Sequence, residues 1–213
     1  MPKIGMEPVR RKALVDAALR TIGHHGSLTV TMSEIAREAG VSAALAHHYF
    51  GSKEQLLNET IRELLRQLRR DAVEALSGAA TARARLSAVI RVSFAAEQFT
   101  PETVAAWLAF YVDAQRSEET RRLLVVYARR LRSNLMSALN RLCPPDDAAR
   151  IAEGAAAMID GLYIRQSLRS APVGSAASVA LVEDYLTGQL ARFSGEATGH
   201  SAPHPPAGTF SPS

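Results

Sequence analysis

Apolar residues recur three or four positions apart along most of the chain, which is the spacing of one buried face of an α-helix. The pattern predicts nine helices, over residues 7–24, 31–39, 42–48, 52–78, 81–99, 101–114, 117–142, 147–169 and 176–193. A strand-like pattern is confined to the short segment LTVTM, which runs directly into the second predicted helix. We therefore expect an all-α protein.

Local signals mark the ends of the early helices. Thr31 with Glu34, and Ser52 with Gln55, have the spacing of capping boxes. Gly40 can adopt a positive φ where the chain reverses between the second and third helices. These two helices and their turn predict a helix-turn-helix unit, and the small side chains at Ala43 and Ala44 would let the third helix approach a major groove closely.

Three regions follow from this pattern. Residues 1–53 form a predicted three-helix DNA-binding domain, residues 54–193 a larger helical domain, and residues 194–213 a tail rich in Ser, Gly, Pro and His that we expect to be disordered. No apolar run reaches the length of a transmembrane helix, and the N-terminus lacks the features of a signal peptide. The single cysteine, Cys143, favours a reducing cytoplasm.

The charge is concentrated in the first quarter of the chain. Residues 1–53 carry seven Lys and Arg against four Asp and Glu, a net charge of +3 out of +4 for the whole sequence. A basic surface is the expected footprint of phosphate binding, although a solvated basic face gives the same count. The adjacent His47 and His48 point about 100° apart on a helix, so they do not indicate a metal site. No cofactor motif or catalytic constellation is present, and we expect a protein that is not an enzyme.

The run TMSEIAREAGVSAALAHHYFGSKEQLL, residues 31–57, resembles the DNA-binding domain of TetR-family repressors. The matching positions are Thr31, Ile35, Ala36, Ala39, Gly40, Val41, Ser42, Tyr49, Phe50, Lys53 and Leu56. The resemblance implies a homodimer that binds double-stranded operator DNA and responds to a small-molecule inducer, by releasing the DNA or by binding it more weakly. It also implies that the C-terminal domain binds this ligand and forms the dimer.

The resemblance assigns DNA contacts to eight positions. The residues that would hold the DNA backbone are Thr31, His47, Tyr49 and Lys53, and those that would meet base edges or phosphates are Ser42, Ala43, Ala44 and His48. Contacts to phosphates give affinity and register, whereas contacts to bases give sequence preference. Phe50 is expected instead to pack the third helix against the first.

Further segments resemble the BetI-type subfamily, whose members repress glycine betaine synthesis from choline. They are HYF at residues 48–50, WLAF at 107–110, RRLRSNL at 129–135 and AAMIDGLYIRQSL at 156–168. The alanines and histidines of the third helix, together with Tyr111 and Tyr163, depart from the subfamily pattern. A regulator of efflux or of another pathway, with a larger hydrophobic ligand, is therefore an alternative. A helical small-molecule or protein-interaction module that does not bind DNA is a second one.

The candidate inducer is choline or another quaternary amine. Such a cation binds well to aromatic faces with a carboxylate nearby. The candidate ligand-binding residues are Phe94, Glu97, Trp107, Phe110, Tyr111, Tyr127, Asp160 and Tyr163. Trp107, Phe110 and Tyr111 are predicted to share one helical face, and Asp113 is a further candidate carboxylate. An aromatic stripe with this spacing is more often part of a hydrophobic core.

Overall fold

A computed structural model describes residues 6–168 and 174–194, and these residues form nine α-helices and no strand. In chain order they are α1 (Met6–His25), α2 (Met32–Glu38), α3 (Ala43–Phe50), α4 (Lys53–Ser77), α5 (Ala82–Ser93), α6 (Pro101–Asp113), α7 (Glu118–Leu139), α8 (Pro145–Ser167) and α9 (Ser175–Ser194). The all-α prediction is confirmed. The predicted tail, apart from Ser194, lies outside the described residues.

The predicted helix boundaries hold where a local signal sets them. Both capping boxes form, at Thr31 with Glu34 and at Ser52 with Gln55. Gly40 has a φ of 68°, and the amide of Val41 reaches back to the carbonyl of Ala36 at 2.9 Å. The capping boxes satisfy donors at the helix starts, and the glycine turn satisfies carbonyls at the end of α2.

The first hydrophobic core joins the head, which we define as α1 to α3, to the rest of the protein. Leu14, Ala18 and Ile22 of α1 are fully buried, as their one-turn spacing predicts. The same core contains Leu56 and Ile61 from the first half of α4, and residues of α6. The predicted boundary between residues 53 and 54 therefore falls at the start of a helix that serves both the head and the body.

The second core lies among α5, α7, α8 and α9, with contributions from the α5–α6 connection. α4 runs from the head along this body over 25 residues, a length of about 37 Å at the helical rise. An ion-pair ladder stiffens its outer face: Arg66 pairs with Glu59 at 2.7 Å and with Glu63 at 2.6 Å, and Arg70 pairs with Glu63 at 2.8 Å.

The predicted fifth helix is wrong at its end, because α5 stops at Ser93 and not near Phe99. The carbonyl of Ser93 accepts a hydrogen bond of 2.6 Å from the hydroxyl of Tyr163 on α8, in place of the amide that a continuing helix would supply. The chain then turns through residues 94–100, and Phe94 and Phe99 both point into the second core.

Candidate DNA-binding head and ligand cavity

The third helix presents two different faces. Ala46 and Phe50 point into the core of the head, whereas Ser42, Ala44 and His48 are exposed. Ser42 caps the helix by accepting from the amide of Leu45 at 3.2 Å. The exposed face thus consists of small and polar side chains, which suits close approach to another surface.

Arg11 of α1 fixes the C-terminal end of α3. Its guanidinium group donates to the carbonyl of Tyr49 and lies over the ring of Phe50, 4.4 Å from the centroid. Phe50 is buried, as predicted, while Tyr49 is half-buried and packs against the same core. The sequence pattern provided no reason to single out Arg11, because its partners are a backbone carbonyl and a ring far along the chain.

The other residues predicted to contact DNA differ in their exposure and in the partners that they already have within the protein. His47 is exposed, and its Nδ1 lies 3.0 Å from the carbonyl of Gly51. The hydroxyl of Thr31 donates to Glu34 at 2.8 Å within the capping box. Ala43 is half-buried against the core, and Lys53, in the first turn of α4, reaches to 3.5 Å from the carbonyl of Leu28.

A cavity of about 270 Å³ lies between α4 and helices α5 to α8. Its lining combines four aromatic side chains, one carboxylate and a few smaller residues: Trp107, Tyr111, Tyr127, Tyr163, Asp160, Leu68, Ser93, Leu108 and Ile164. We call this site the aromatic cage. It brings together five of the eight ligand-binding candidates.

Hydrogen bonds fix Tyr163 in the wall of the cage. Its hydroxyl donates to the carbonyl of Ser93 at 2.6 Å and lies 3.3 Å from that of Gln98. Its ring stacks on Phe94 at 6.0 Å and meets the edge of Phe99 at 5.1 Å. Burial raises the pKa of this hydroxyl well above its usual range, so Tyr163 stays neutral.

The opposite wall is formed by Trp107 and Tyr127, whose ring centroids are 5.3 Å apart. The indole Nε1 of Trp107 is buried and has no hydrogen-bond partner among the described residues. Tyr127 is also kept neutral, because burial raises the pKa of its hydroxyl. The cage therefore offers aromatic faces, and the unpartnered N–H of Trp107 is buried in its wall.

Asp160 lies at the rim of the cage, and its Oδ1 accepts from the hydroxyl of Tyr111 at 3.2 Å. Desolvation by the surrounding protein raises the pKa of the Asp160 carboxyl, and the hydrogen bond from Tyr111 opposes this effect. Desolvation and the nearby carboxylate both raise the pKa of Tyr111. A partly desolvated carboxylate that accepts from a single donor among the described residues attracts a cation.

Three predicted ligand residues do not line the cage. Phe94 lies behind Tyr163 in the second core, and Phe110 packs in the first core. Glu97 is exposed and borders a different surface groove, with Lys12 of α1. Trp107, Phe110 and Tyr111 do pack together in the first core, but of these three only Trp107 and Tyr111 also line the cage.

The sequence pattern did not identify Ser93, Leu108 and Ile164 as cage residues. Asp113, the further candidate carboxylate, accepts from the hydroxyl of Thr120 at 2.6 Å and lies outside the cage. Within residues 6–168 and 174–194, no group of three or more His, Cys, Asp or Glu is arranged to hold a metal ion. None of the described helices combines the length and apolar character that a bilayer crossing requires.

Two family sequence profiles match the chain in tandem. Residues 14–60 match the profile described as bacterial regulatory proteins, tetR family. Residues 82–191 match the profile described as BetI-type transcriptional repressor, C-terminal. The first covers the helix-turn-helix of the head, and the second covers α5 to α8 and most of α9.

Related proteins and structures agree with these profiles. The HTH-type transcriptional regulator BetI of Agrobacterium fabrum is 80% identical over 193 residues, which are 91% of this chain and 94% of that protein. A transcriptional regulator structure from Pseudomonas aeruginosa PAO1 has a TM-score of 0.73 and 29% identity over 87% of this chain and 94% of its own. One from Saccharomonospora viridis, determined in complex with choline, has a TM-score of 0.71 and 22% identity over 83% and 94% of the two chains.

Proposed function

Because the chain belongs to the TetR family, in its BetI-type branch, and is thus a DNA-binding transcriptional repressor and not an enzyme, we propose that its inducer is a quaternary ammonium compound. Choline is the first candidate, and the regulated pathway is then that of choline and glycine betaine. The observation that carries this proposal is the aromatic cage, with its four rings and the Asp160 carboxylate around one cavity.

The chemistry of the cage supports a cation without N–H donors. A trimethylammonium group cannot donate a conventional hydrogen bond, so it is held by aromatic faces and by a carboxylate. Tyr111, Tyr127 and Tyr163 are neutral at physiological pH, as tyrosines ordinarily are, and burial raises the pKa of each hydroxyl further. They therefore offer aromatic ring faces to the cation and carry no charge of their own.

Trp107, in the wall of the cage, carries a polar group that the hydroxyl of choline could satisfy after a shift of the indole ring. The Nε1 of Trp107 is a buried donor that the protein itself leaves unsatisfied. Leaving such a donor without an acceptor costs about 1–3 kcal/mol, so a ligand with an acceptor oxygen would recover part of this energy. The choline complex of the Saccharomonospora viridis protein, which has the same fold, supports choline as the first compound to test.

We assign operator binding to residues 1–53 and ligand binding and dimerisation to residues 54–193. Ser42, Ala44, His47 and His48, on the exposed side of α3, are proposed to meet the major groove and its phosphates. Of the remaining candidates, Ala43 would bring the helix backbone close to the DNA, and Thr31, Tyr49 and Lys53 would contact the DNA backbone.

We further propose that α8 and α9 form the homodimer. The described part of these helices exposes large apolar side chains: Ile164 and Leu168 are 51% and 79% exposed, and Leu181 is 48% exposed. Burying such residues against a second copy removes apolar surface from water. Two heads held this way would meet a near-palindromic operator about one DNA turn, roughly 34–36 Å, apart.

The test is operator binding by the full chain, measured on DNA upstream of its own gene at two salt concentrations, with and without choline. We expect sequence-selective binding that weakens with salt and that choline weakens further. Since the chain has one tryptophan, choline should also change the fluorescence of Trp107. Selective DNA binding that is indifferent to choline, with unchanged fluorescence, would refute the inducer and leave the repressor.

A further inference from the structure

A second cavity adjoins the aromatic cage. It lies between α4, α5 and α7, and it also measures about 270 Å³. Leu68, Ser93 and Tyr127 line both cavities, so the two spaces lie on either side of these three residues. We call the second space the side cavity.

The side cavity has the chemistry of a hydrocarbon site. Its walls are mostly aliphatic, formed by Leu65, Leu68, Ala72, Val73, Leu76, Val89, Val92, Val126 and Leu131. Two of these valines are unusually exposed for large apolar residues at a cavity, with Val73 at 58% and Val126 at 42%. An apolar cavity that opens through exposed valines gains stability when a tail of similar chemistry fills it.

The charges at the two ends differ in sign. Asp160 lies at the rim of the cage, whereas Arg69 of α4 and Arg130 of α7 border the side cavity. Within the described residues, neither arginine forms an ion pair or a hydrogen bond with a side chain or carbonyl. A cationic group is therefore attracted to the cage and repelled from the side cavity.

Tyr127, which lies between the two cavities, is not fixed in place by hydrogen bonds of its hydroxyl. The structure describes no hydrogen bond for the hydroxyl of Tyr127, in contrast to that of Tyr163, which donates at 2.6 Å. The ring of Tyr127 contacts Trp107 at a tilted angle of 38°, a geometry without close stacking. Since Tyr127 lines both cavities, rotation of its side chain is the movement by which the two spaces would join.

We propose that this repressor binds quaternary ammonium amphiphiles, with the trimethylammonium head in the aromatic cage and a hydrocarbon tail in the side cavity. The inference rests on the proposed function, because it uses the same cage for the head group. It extends the ligand class from choline to choline derivatives and surfactants that carry an alkyl chain. The single positive charge belongs at the Asp160 end, and the far end of the ligand is uncharged.

A series of alkyltrimethylammonium ions measures the reach of the site. Affinity is determined by calorimetry and Trp107 fluorescence for choline and for the tetramethyl, hexyltrimethyl and decyltrimethyl ions, all below micelle-forming concentrations. Each fully buried methylene contributes about fourfold in affinity, equivalent to about 0.8 kcal/mol. We expect affinity to rise with chain length until the side cavity is full.

Ala72→Phe tests where the tail goes. Ala72 lines the side cavity and not the cage, so the larger side chain fills the tail site alone. We expect choline affinity within twofold of the native protein and decyltrimethylammonium affinity reduced at least tenfold. Ala128→Phe is the matched control, since Ala128 is an exposed residue of α7 that lines neither cavity.

The bis-quaternary ion decamethonium tests the charge asymmetry. It has the ten-carbon chain of the decyl compound but places a second cation near Arg69 and Arg130. We expect it to bind at least tenfold more weakly than decyltrimethylammonium, and we expect the double variant Arg69→Ala/Arg130→Ala to narrow that difference. Equal binding of the two compounds to the native protein would overturn the assigned orientation.

The outcomes separate the two proposals. Choline binding combined with an affinity that does not change with chain length overturns the side-cavity inference and leaves the choline proposal intact. The same holds if Ala72→Phe binds the decyl compound as the native protein does. Failure of both choline and tetramethylammonium to bind overturns the proposed function, and this inference with it.

Discussion

Replacing Asp160 by Asn tests whether the charge of this residue makes the cage selective for cations. The side chain keeps its shape, and its amide oxygen can still accept the hydrogen bond that Tyr111 donates to Oδ1 at 3.2 Å. The aromatic walls are unchanged by the substitution. A loss of affinity in Asp160→Asn therefore reports the negative charge and not the packing of the cage.

The size of the effect follows from Coulomb's law. A trimethylammonium centre about 5 Å from the carboxylate, at an effective dielectric constant of about 20, gains roughly 3 kcal/mol. Asp160 is exposed at the rim, so solvent screening reduces this gain to about 1–2 kcal/mol. We therefore expect choline to bind about 5- to 30-fold more weakly to Asp160→Asn.

The assay compares choline with 3,3-dimethylbutan-1-ol, its neutral isostere, in both proteins by calorimetry. In the native protein the isostere should bind more weakly, because it lacks the attraction of the carboxylate and of the ring faces. In Asp160→Asn the difference in affinity between choline and the isostere should become smaller but persist, since the aromatic rings remain. An equal loss for both ligands would refute the electrostatic role of Asp160.

The same carboxylate predicts a dependence on pH. Desolvation raises the pKa of Asp160 above that of an ordinary aspartate. A cation binds the deprotonated form, so choline affinity is full above the raised pKa and is lost as the pH falls through it. The loss should begin at a higher pH than for an exposed aspartate, and Asp160→Asn should not show it.

Further predictions concern the head. Lys53→Ala should weaken operator binding equally for all DNA sequences. The slope of log affinity against log salt concentration should become smaller in magnitude by about 1 for each phosphate that Lys53 neutralises. An unchanged slope in a salt titration would exclude Lys53 from phosphate binding. Gly23→Ala would place a Cβ 2.6 Å from the α6 backbone. This overpacking costs about 1–3 kcal/mol of stability, which exceeds the gain of about 1 kcal/mol from replacing a helical glycine by alanine. Urea unfolding should therefore show a net loss of stability. Gly161→Ala, with no neighbour within 4 Å, should be neutral or stabilising, and equal stability losses in the two variants would refute the packing argument.

The head was predictable from the sequence because its signals are local. A capping box spans four residues, and the turn at Gly40 needs only a positive φ, so Thr31, Glu34 and Gly40 determine the helix boundaries directly. The contacts by which Arg11 fixes the C-terminal end of α3 were not predictable. Its contacts to Tyr49 and Phe50 cross almost forty positions of sequence and depend on how α1 packs.

The cage was predicted only in part, for physical reasons. Trp107 and Tyr111 were found from their spacing, but the same spacing included Phe110, which packs in the first core beside Trp107 and does not line the cage. A helix buried on two sides has no polar face to orient it. Glu97 was misplaced because a long-range hydrogen bond from Tyr163 ends α5 at Ser93 and redirects the chain.

The same hydrogen bond connects the cage to the rest of the fold. Tyr163 lines the cage with its ring and holds the α5–α6 connection with its hydroxyl, at the carbonyls of Ser93 and Gln98. The hydroxyl of Thr103, in the first turn of α6, donates to the carbonyl of Glu97 in that connection at 3.3 Å. A ligand that displaces the Tyr163 ring therefore acts on the segment from which α6 begins.

α6 in turn packs against α1 so closely that Gly23 leaves no room for a Cβ. A movement at the start of α6 must then be shared by α1 and, through Arg11, by α3. The ligand can shift the position of the heads only by the difference in its affinity for the two arrangements. A 100-fold weakening of operator binding requires a coupling of about 2.7 kcal/mol, and linkage makes the effect reciprocal. Bound operator must therefore weaken choline binding by the same factor, and a choline affinity that operator DNA leaves unchanged would exclude this route.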